Sequence, residues 1–194
     1  MNLSALMEQY QNSPRLFQLA DRLLLPGINQ TYLKNLQGSS AEFLLTAIFA
    51  HGNTEQLNHL VVMNDAEEAA YFYNNLENLT QALDLFYFPS SFRNRKNFEL
   101  LNSSHIMLRT EALTKISAGG NKKILVTYPE ALFEKVVLPK TLSGNIITIK
   151  TNDTIQPESL YELFVLYGFE RTDFVYEPGQ FAVRGGILDI YSFG

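Results

Sequence analysis

The sequence predicts an α/β lobe built on a parallel sheet, followed by a small, incomplete α+β domain. Three observations predict it. Short, nearly continuous apolar runs at 59–64, 83–88 and 123–128 suit strands covered on both faces. Helical periodicity fills the stretches before and between them, and the order helix, strand, helix, strand, helix, strand is that of a parallel sheet. After Pro139 the pattern gives way to one amphipathic helix with short strands, and the charge changes with it. Residues 141–194 carry only Lys150, Arg171 and Arg184 against seven carboxylates, whereas 1–140 are nearly balanced. The boundary is placed within 134–145, giving domains 1–140 and 141–194.

Leu3, Leu6, Met7 and Tyr10 recur at helical spacing, and a second helix follows Ser13-Pro14 through Leu16, Leu19, Ala20, Leu23 and Leu24. Ser13 is suited to cap it, Pro14 to take its first position, and Pro26-Gly27 to close it. A third helix carries Phe43, Leu44, Ala47 and Ile48 and ends near His51-Gly52-Asn53 in the manner of a glycine-terminated helix. The run from His59 ends in Asn64-Asp65, a cap for the helix of Ala69, Phe72, Tyr73, Leu76 and Leu79. Pro89 stops the second strand. A polar, basic stretch then precedes a helix through Ile106, Leu108, Ala112, Leu113 and Ile116. In the acidic part, 145–150 alternates as a strand, 157–168 is a helix, and strands are expected at 174–176 and 181–191. Gly185-Gly186 is either the turn of a hairpin or a bulge in one longer strand. The chain stops just after an apolar strand, and a piece of a longer protein is expected.

Composition narrows the function. The 194 residues are 46% hydrophobic and 18% charged, below the roughly 25% charge of an ordinary domain, so a packed globular chain is expected rather than a disordered one. With no cysteine there is no disulfide, no thiolate metal site and no cysteine nucleophile. No apolar run reaches the roughly 18 residues of a membrane span and no leader pattern opens the chain, so no membrane partner is expected and the cytoplasm is the expected compartment. A net charge of −5 argues against a dedicated DNA-binding module. The basic stretch Arg93-Asn94-Arg95-Lys96 is either a weak nucleic-acid contact or a solvated loop.

Chemistry-bearing motifs are sparse. Gly38-Ser39-Ser40 enters a helix where backbone N–H groups would face an anion. A working phosphate loop, however, needs GxxxxGK[ST], and here both the lysine and the earlier glycine are missing while Glu42 follows. Helix capping by Ser39 or Ser40 is the plainer role. His51, His59 and His105 lack ligand spacing, Ser39, Ser103 and Ser104 lack a nucleophile-elbow setting, and Glu67-Glu68 suit the positive end of a helix. No catalytic residue and no metal are expected.

The acidic part offers a docking strand instead. Phe181 and Val183 share one face, Ala182 and Arg184 the other. Arg184, beside two glycines, either presents its planar fork to a partner or closes an internal ion pair with Asp173 or Glu177. Asp189 is expected to face solvent rather than pair with an arginine.

The segment Gly179-Gln180-Phe181-Ala182-Val183-Arg184-Gly185-Gly186-Ile187-Leu188-Asp189-Ile190-Tyr191 resembles the domain shared by bacterial transcription-repair coupling factors and the excision-nuclease subunit UvrB. That domain carries a strand of the form G-[EQT]-F-x-x-R-G-x-[IVL]-[IVL]-[DE]-[IL]-[FY]. Leu166-Tyr167-Gly168-Phe169-Glu170-Arg171 is similar to the element that precedes the strand in the family, and Tyr128-Pro129-Glu130-Ala131-Leu132 is similar to part of its N-terminal helicase-like lobe. UvrB keeps a complete phosphate loop and tends to have a second arginine where Ala182 stands here. The degenerate Gly38-Ser39-Ser40-Ala41 and Ala182 therefore side with the coupling factors.

The resemblance implies a non-catalytic first lobe that serves as scaffold and a second domain that mimics the UvrA-binding surface of UvrB. It implies recruitment of UvrA to lesions where RNA polymerase has stalled. Carried over by position, Arg184 is the expected UvrA contact, with Phe181, Gly185 and Ile187 shaping the strand and Arg171 nearby. ATP, Mg²⁺, DNA and RNA polymerase are expected to bind modules beyond Gly194, and the docking surface to stand unmasked without them. The alternative is a UvrB-like damage-recognition ATPase or DNA-binding fragment.

Overall fold

The computed structural model describes residues 2–54, 56–80, 84–92, 102–120, 122–138, 140–141 and 148–192. The basic stretch 93–96, the first part of the strand expected at 145–150 and Ser143-Gly144-Asn145 lie outside them. The fold is α/β, with seven α-helices and two three-stranded sheets among the described residues. It divides into two compact units, Met1–Tyr87 with Gly119–Pro129 and Phe88–Ala118 with Glu130–Gly194, a grouping that follows packing rather than chain order.

The first unit opens with α1 (Leu3–Gln11) and α2 (Pro14–Leu23), Pro14 supplying the fixed φ of a first helical turn. The apolar stripe of α2, Leu16 and Leu19, packs on Ala47 and Ile48 of α3 (Ser40–Ala50), with Met7, Tyr10 and Leu44 at the margin. Tyr10 stacks on Phe43 with ring centres 5.4 Å apart. Two capping expectations fail. Neither Ser13 nor Ser39 makes a side-chain cap bond, and the buried Ser40 hydroxyl makes no hydrogen bond among the described residues either. Ser39 has φ −82° and ψ 19°, a turn geometry rather than the extended one that aims an N-cap oxygen at the first free N–H groups. Nor does α3 end on a left-handed glycine. His51 is extended and the chain turns through a 3-10 segment, Gly52–Thr54, where the buried Thr54 hydroxyl reaches the carbonyls of Ile48 and His51.

Strands β1 (His59–Val62), β2 (Leu85–Phe88) and β3 (Ile124–Thr127) form a sheet in the order β1-β3-β2, and β1 runs parallel to β3 with His59 opposite Ile124. Ile124, Val126 and Thr127 of the central strand are fully buried. The expectation that β1 is covered on both faces is wrong for its position: as an edge strand it alternates, leaving Leu60 and Val62 exposed. Helix α4 (Ala66–Thr80) follows as expected, its first turn capped by Asp65 Oδ1, which accepts the Glu68 N–H at 2.9 Å, while Glu68 Oε2 accepts from Asn64.

The second unit contains α5 (Ser103–Ser117), capped by Asn102 Oδ1 on the N–H groups of Ser104 and His105, and α6 (Pro129–Phe133), whose Pro129 is counted with the first unit. It also contains α7 (Pro157–Leu166) with β4 (Glu170–Arg171), β5 (Gln180–Arg184) and β6 (Ile187–Tyr191). The end of α7 explains how the chain enters this sheet. Gly168 has φ +80°, its N–H donates to Val165 O, and the Phe169 N–H donates to Phe164 O at 2.8 Å. That is the Schellman pattern, completed by the Phe164–Phe169 ring contact at 5.4 Å.

Central β5 pairs parallel with β4 and antiparallel with β6. Leu160 and Phe164 of α7 close over Phe181, with Tyr161, Phe169, Val183 and Leu188 around them. Of the two possibilities at Gly185-Gly186, the hairpin is correct: Arg184 pairs with Ile187 across a two-residue turn. Gly185 has φ +61° and Gly186 is not left-handed, which fits a type II′ turn. The strand expected at 174–176 is absent, and Glu170–Arg171 takes the place beside β5 instead. Thr172 N–H still donates to Phe181 O beside β5, but three backbone groups of 174–177 are met by side chains. Gln180 Oε1 accepts from the N–H groups of Tyr176 and Glu177, and the Thr172 hydroxyl donates to Phe174 O. Described residues 148–150 are likewise not strand, Lys150 N–H donating to Asp153 Oδ2.

Candidate functional site

Register decides which side chains of the β4-β5-β6 sheet meet. Partners across a ladder point to one side, so Gln180, Ala182 and Arg184 share a face with Ile187, Asp189 and Tyr191, while Phe181 and Val183 share the helix-covered face with Leu188 and Ile190. Asp189 lies opposite Ala182 and therefore diagonal to Arg184. The two pair: Arg184 Nε donates to Asp189 Oδ2 at 3.2 Å and Arg184 Nη2 to the same oxygen. This corrects both expectations about them. Asp189 is not a lone solvent-facing carboxylate, and the internal partner of Arg184 is neither Asp173 nor Glu177, because the hairpin brings Asp189 nearer on the same face. The guanidinium carbon also sits 5.1 Å from the centre of the Phe174 ring, within cation–π range.

The ion pair remains at the surface, with the two side chains 49% and 38% exposed. Such a pair contributes at most about 1 kcal/mol to folding, so its effect is mainly on geometry. Both Nη1 hydrogens of Arg184 lie outside these bonds, and the arginine can still offer a charged donor edge. Around it Phe174 and Tyr176 are exposed, as is Ile187 at 61%.

The remaining sequence-chosen residues separate. Gly185 makes the turn that holds Arg184 opposite Ile187. Phe181 is 0% exposed and offers a partner no surface; it fixes the strand from beneath. Arg171 is exposed on β4, but its register with Phe181 places it on the opposite face from Arg184. The sequence reading missed Phe174 and Asp189 as neighbours of Arg184. The diagonal relation follows from the hairpin register once the two-residue turn is chosen; Phe174 had no local signal.

At the other candidate, Gly38 takes φ +55° in a turn and α3 begins at Ser40, so the chain does present a helix N-terminus there. Glu42, in the first turn, is 5% exposed and its Oε1 accepts from Asn75 Nδ2 at 2.8 Å. The positive end of α3 is thus already matched by the protein's own carboxylate, and an incoming phosphate would meet like charge.

A third cluster was invisible in the sequence. Buried Arg109 donates to the carbonyls of Pro89 at 2.7 Å and Ala131 at 3.1 Å, lies 3.4 Å from Glu134 Oε1, and covers the Phe88 ring at 4.0 Å. Glu134 Oε2 in turn accepts from Ser91 N–H at 2.8 Å. This network ties α5 to the segments on either side of it. Burial lowers the His59 pKa, and burial, with Tyr128 nearby, pushes Tyr87 up to about 12. Among the described residues no cluster of three or more His, Asp or Glu could hold a metal ion, and no helix is long and apolar enough to cross a membrane.

Residues 147–194, which contain the whole β4-β5-β6 sheet, match the family model of the UvrB interaction domain. Over a longer stretch the chain is similar to proteins named transcription-repair-coupling factor. It is 28% identical to that of Rickettsia typhi over 139 residues, covering 71% of this chain. It is 27% identical to that of Borreliella burgdorferi over 164 residues and 26% identical to that of Bacillus subtilis over 171, covering 84% and 85% of this chain. The matched stretches make up only 12% to 14% of those relatives. Most of this chain is therefore similar to a small portion of much longer transcription-repair-coupling factors, and its C-terminal sheet is the part that matches the UvrB interaction domain.

Proposed function

We propose that the chain is a non-catalytic module of a transcription-repair coupling factor and that its β5-β6 hairpin docks UvrA, bringing it to lesions where RNA polymerase has stalled. The observation that carries this is the coincidence of the UvrB interaction domain match with an exposed, oriented Arg184 inside the matched segment. Domain 1–140 acts as a helicase-like scaffold with a degenerate phosphate loop. Its lack of a lysine at Gly38-Ser39-Ser40 and the buried Glu42 support a lobe that does not grip nucleotide. Domain 141–194 carries the docking surface. ATP and Mg²⁺, and the contacts with DNA and RNA polymerase, belong to other parts of the longer protein.

Titration of purified UvrA against the chain tests this. Arg184→Ala is expected to weaken binding by at least about thirtyfold, as removal of a desolvated charged contact does. Unchanged binding would refute the docking assignment. A thermal-shift titration with Mg-ATP should leave the melting temperature unmoved; a rise of several degrees would favour a UvrB-like ATPase.

A further inference from the structure

We infer that Asp189 and Phe174 are positioning residues for docking: together they hold the guanidinium of Arg184 in one plane before a partner arrives. The inference rests on the docking function proposed above. An exposed arginine ordinarily samples many rotamers and loses that freedom on binding, which weakens association. Here two constraints converge on one side chain, and the second of them is itself held in place. Asp189 Oδ2 takes both Nε and Nη2, which fixes the last torsion of the arginine. The Phe174 ring lies 5.1 Å from the guanidinium carbon and restricts the plane from one side. The Phe174 loop is itself held, through the Thr172 hydroxyl on Phe174 O and through Gln180 Oε1 on Tyr176 and Glu177.

What remains available is the Nη1 edge of the fork, directed away from Asp189. The partner group that fits it is a carboxylate or backbone carbonyl approaching that edge, so Arg184 would bridge two acceptors in the complex. Asp189 could instead be a competitor that occupies Arg184 until displaced. The burial of Asp189 to only a moderate degree and the second constraint from Phe174 favour orientation over occlusion, since a competing carboxylate would need no aromatic platform.

The two roles predict opposite signs. In the 194-residue chain, Asp189→Asn and Phe174→Leu should each weaken UvrA binding by about three- to tenfold, and Asp189→Glu should restore part of the loss. The Nε–H resonance of Arg184, observed by NMR in the unbound chain, should be slow to exchange in the parent and fast in Asp189→Asn. Tighter binding by Asp189→Asn, or an unchanged Nε–H resonance, would overturn the positioning role. If Arg184→Ala itself binds UvrA normally, the docking function fails and the inference falls with it. If Arg184→Ala loses binding while Asp189→Asn and Phe174→Leu do not, docking stands and positioning alone is refuted.

Discussion

Arg109 Nε lies 3.4 Å from Glu134 Oε1, and both side chains are largely withdrawn from water. Removing one member leaves the other charge stranded in a poorly solvated site. Arg109→Met is therefore expected to destabilise the chain by about 3 kcal/mol or more in urea denaturation, and Glu134→Gln, which keeps acceptor capacity for Ser91 N–H, by less. Equal and negligible effects of the two would show that the pair contributes nothing to the fold.

The buried Phe181 separates structure from docking. Phe181→Ala should cost about 3–5 kcal/mol because it empties the space beneath Leu160 and Phe164. Its loss of UvrA binding should follow the unfolded fraction, whereas Arg184→Ala should lose binding at unchanged melting temperature. Scanning calorimetry alongside the UvrA titration distinguishes the two.

The hairpin turn has a left-handed first position and an ordinary second one. Gly185→Val places a β-branched residue at φ +61° and should destabilise by about 1–2 kcal/mol, although nothing lies within 4 Å of the added Cβ. Gly186→Ala, which has open space and no positive φ, should stay within about 0.5 kcal/mol of the parent. Chemical denaturation of both variants checks the contrast.

His59 titrates below its ordinary value because burial disfavours the imidazolium. The unfolded chain therefore binds this proton more readily than the folded one. Its stabilising contribution is complete above the ordinary pKa of about 6.5 and is lost as pH falls through that value toward the lower folded pKa. Denaturation midpoints at pH 7.5 and 5.5 should show this loss, and His59→Phe, which keeps a ring beside Phe49, should reduce it.

At Asn75→Ala, Glu42 would keep its burial but lose the Nδ2 donor at 2.8 Å. A stability loss of about 1–3 kcal/mol is expected, recovered in part by Asn75→Gln if its amide reaches the same oxygen. Thermal unfolding of the two variants decides it.

What the sequence made legible was local. Pro14 at a helix start, Asp65 as a cap and the apolar strand at Ile124 each depend on residues a few positions apart, and each is found where expected. Strand β5 was legible for the same reason, because the alternation of Phe181, Ala182, Val183 and Arg184 fixes their faces. Longer relations were not. Arg109 finds its acceptors at Pro89, Ala131 and Glu134, and no spacing rule joins those positions. Phe174 and Tyr176 look like strand residues, but Gln180 Oε1 takes the N–H groups of Tyr176 and Glu177 and it is Glu170–Arg171 that pairs with β5. Edge placement of β1, which exposes Leu60 and Val62, depends on sheet order and not on the composition of the run.

The two-residue turn at Gly185 also constrains how this hairpin can drift over time. Side-chain direction in a strand depends on parity, so a single codon gained or lost between Phe181 and Arg184 would put the two on one face, either turning the arginine inward or expelling the aromatic. Length changes there are tolerable only in pairs, and lineages that keep the arginine outward should show even-numbered insertions or none.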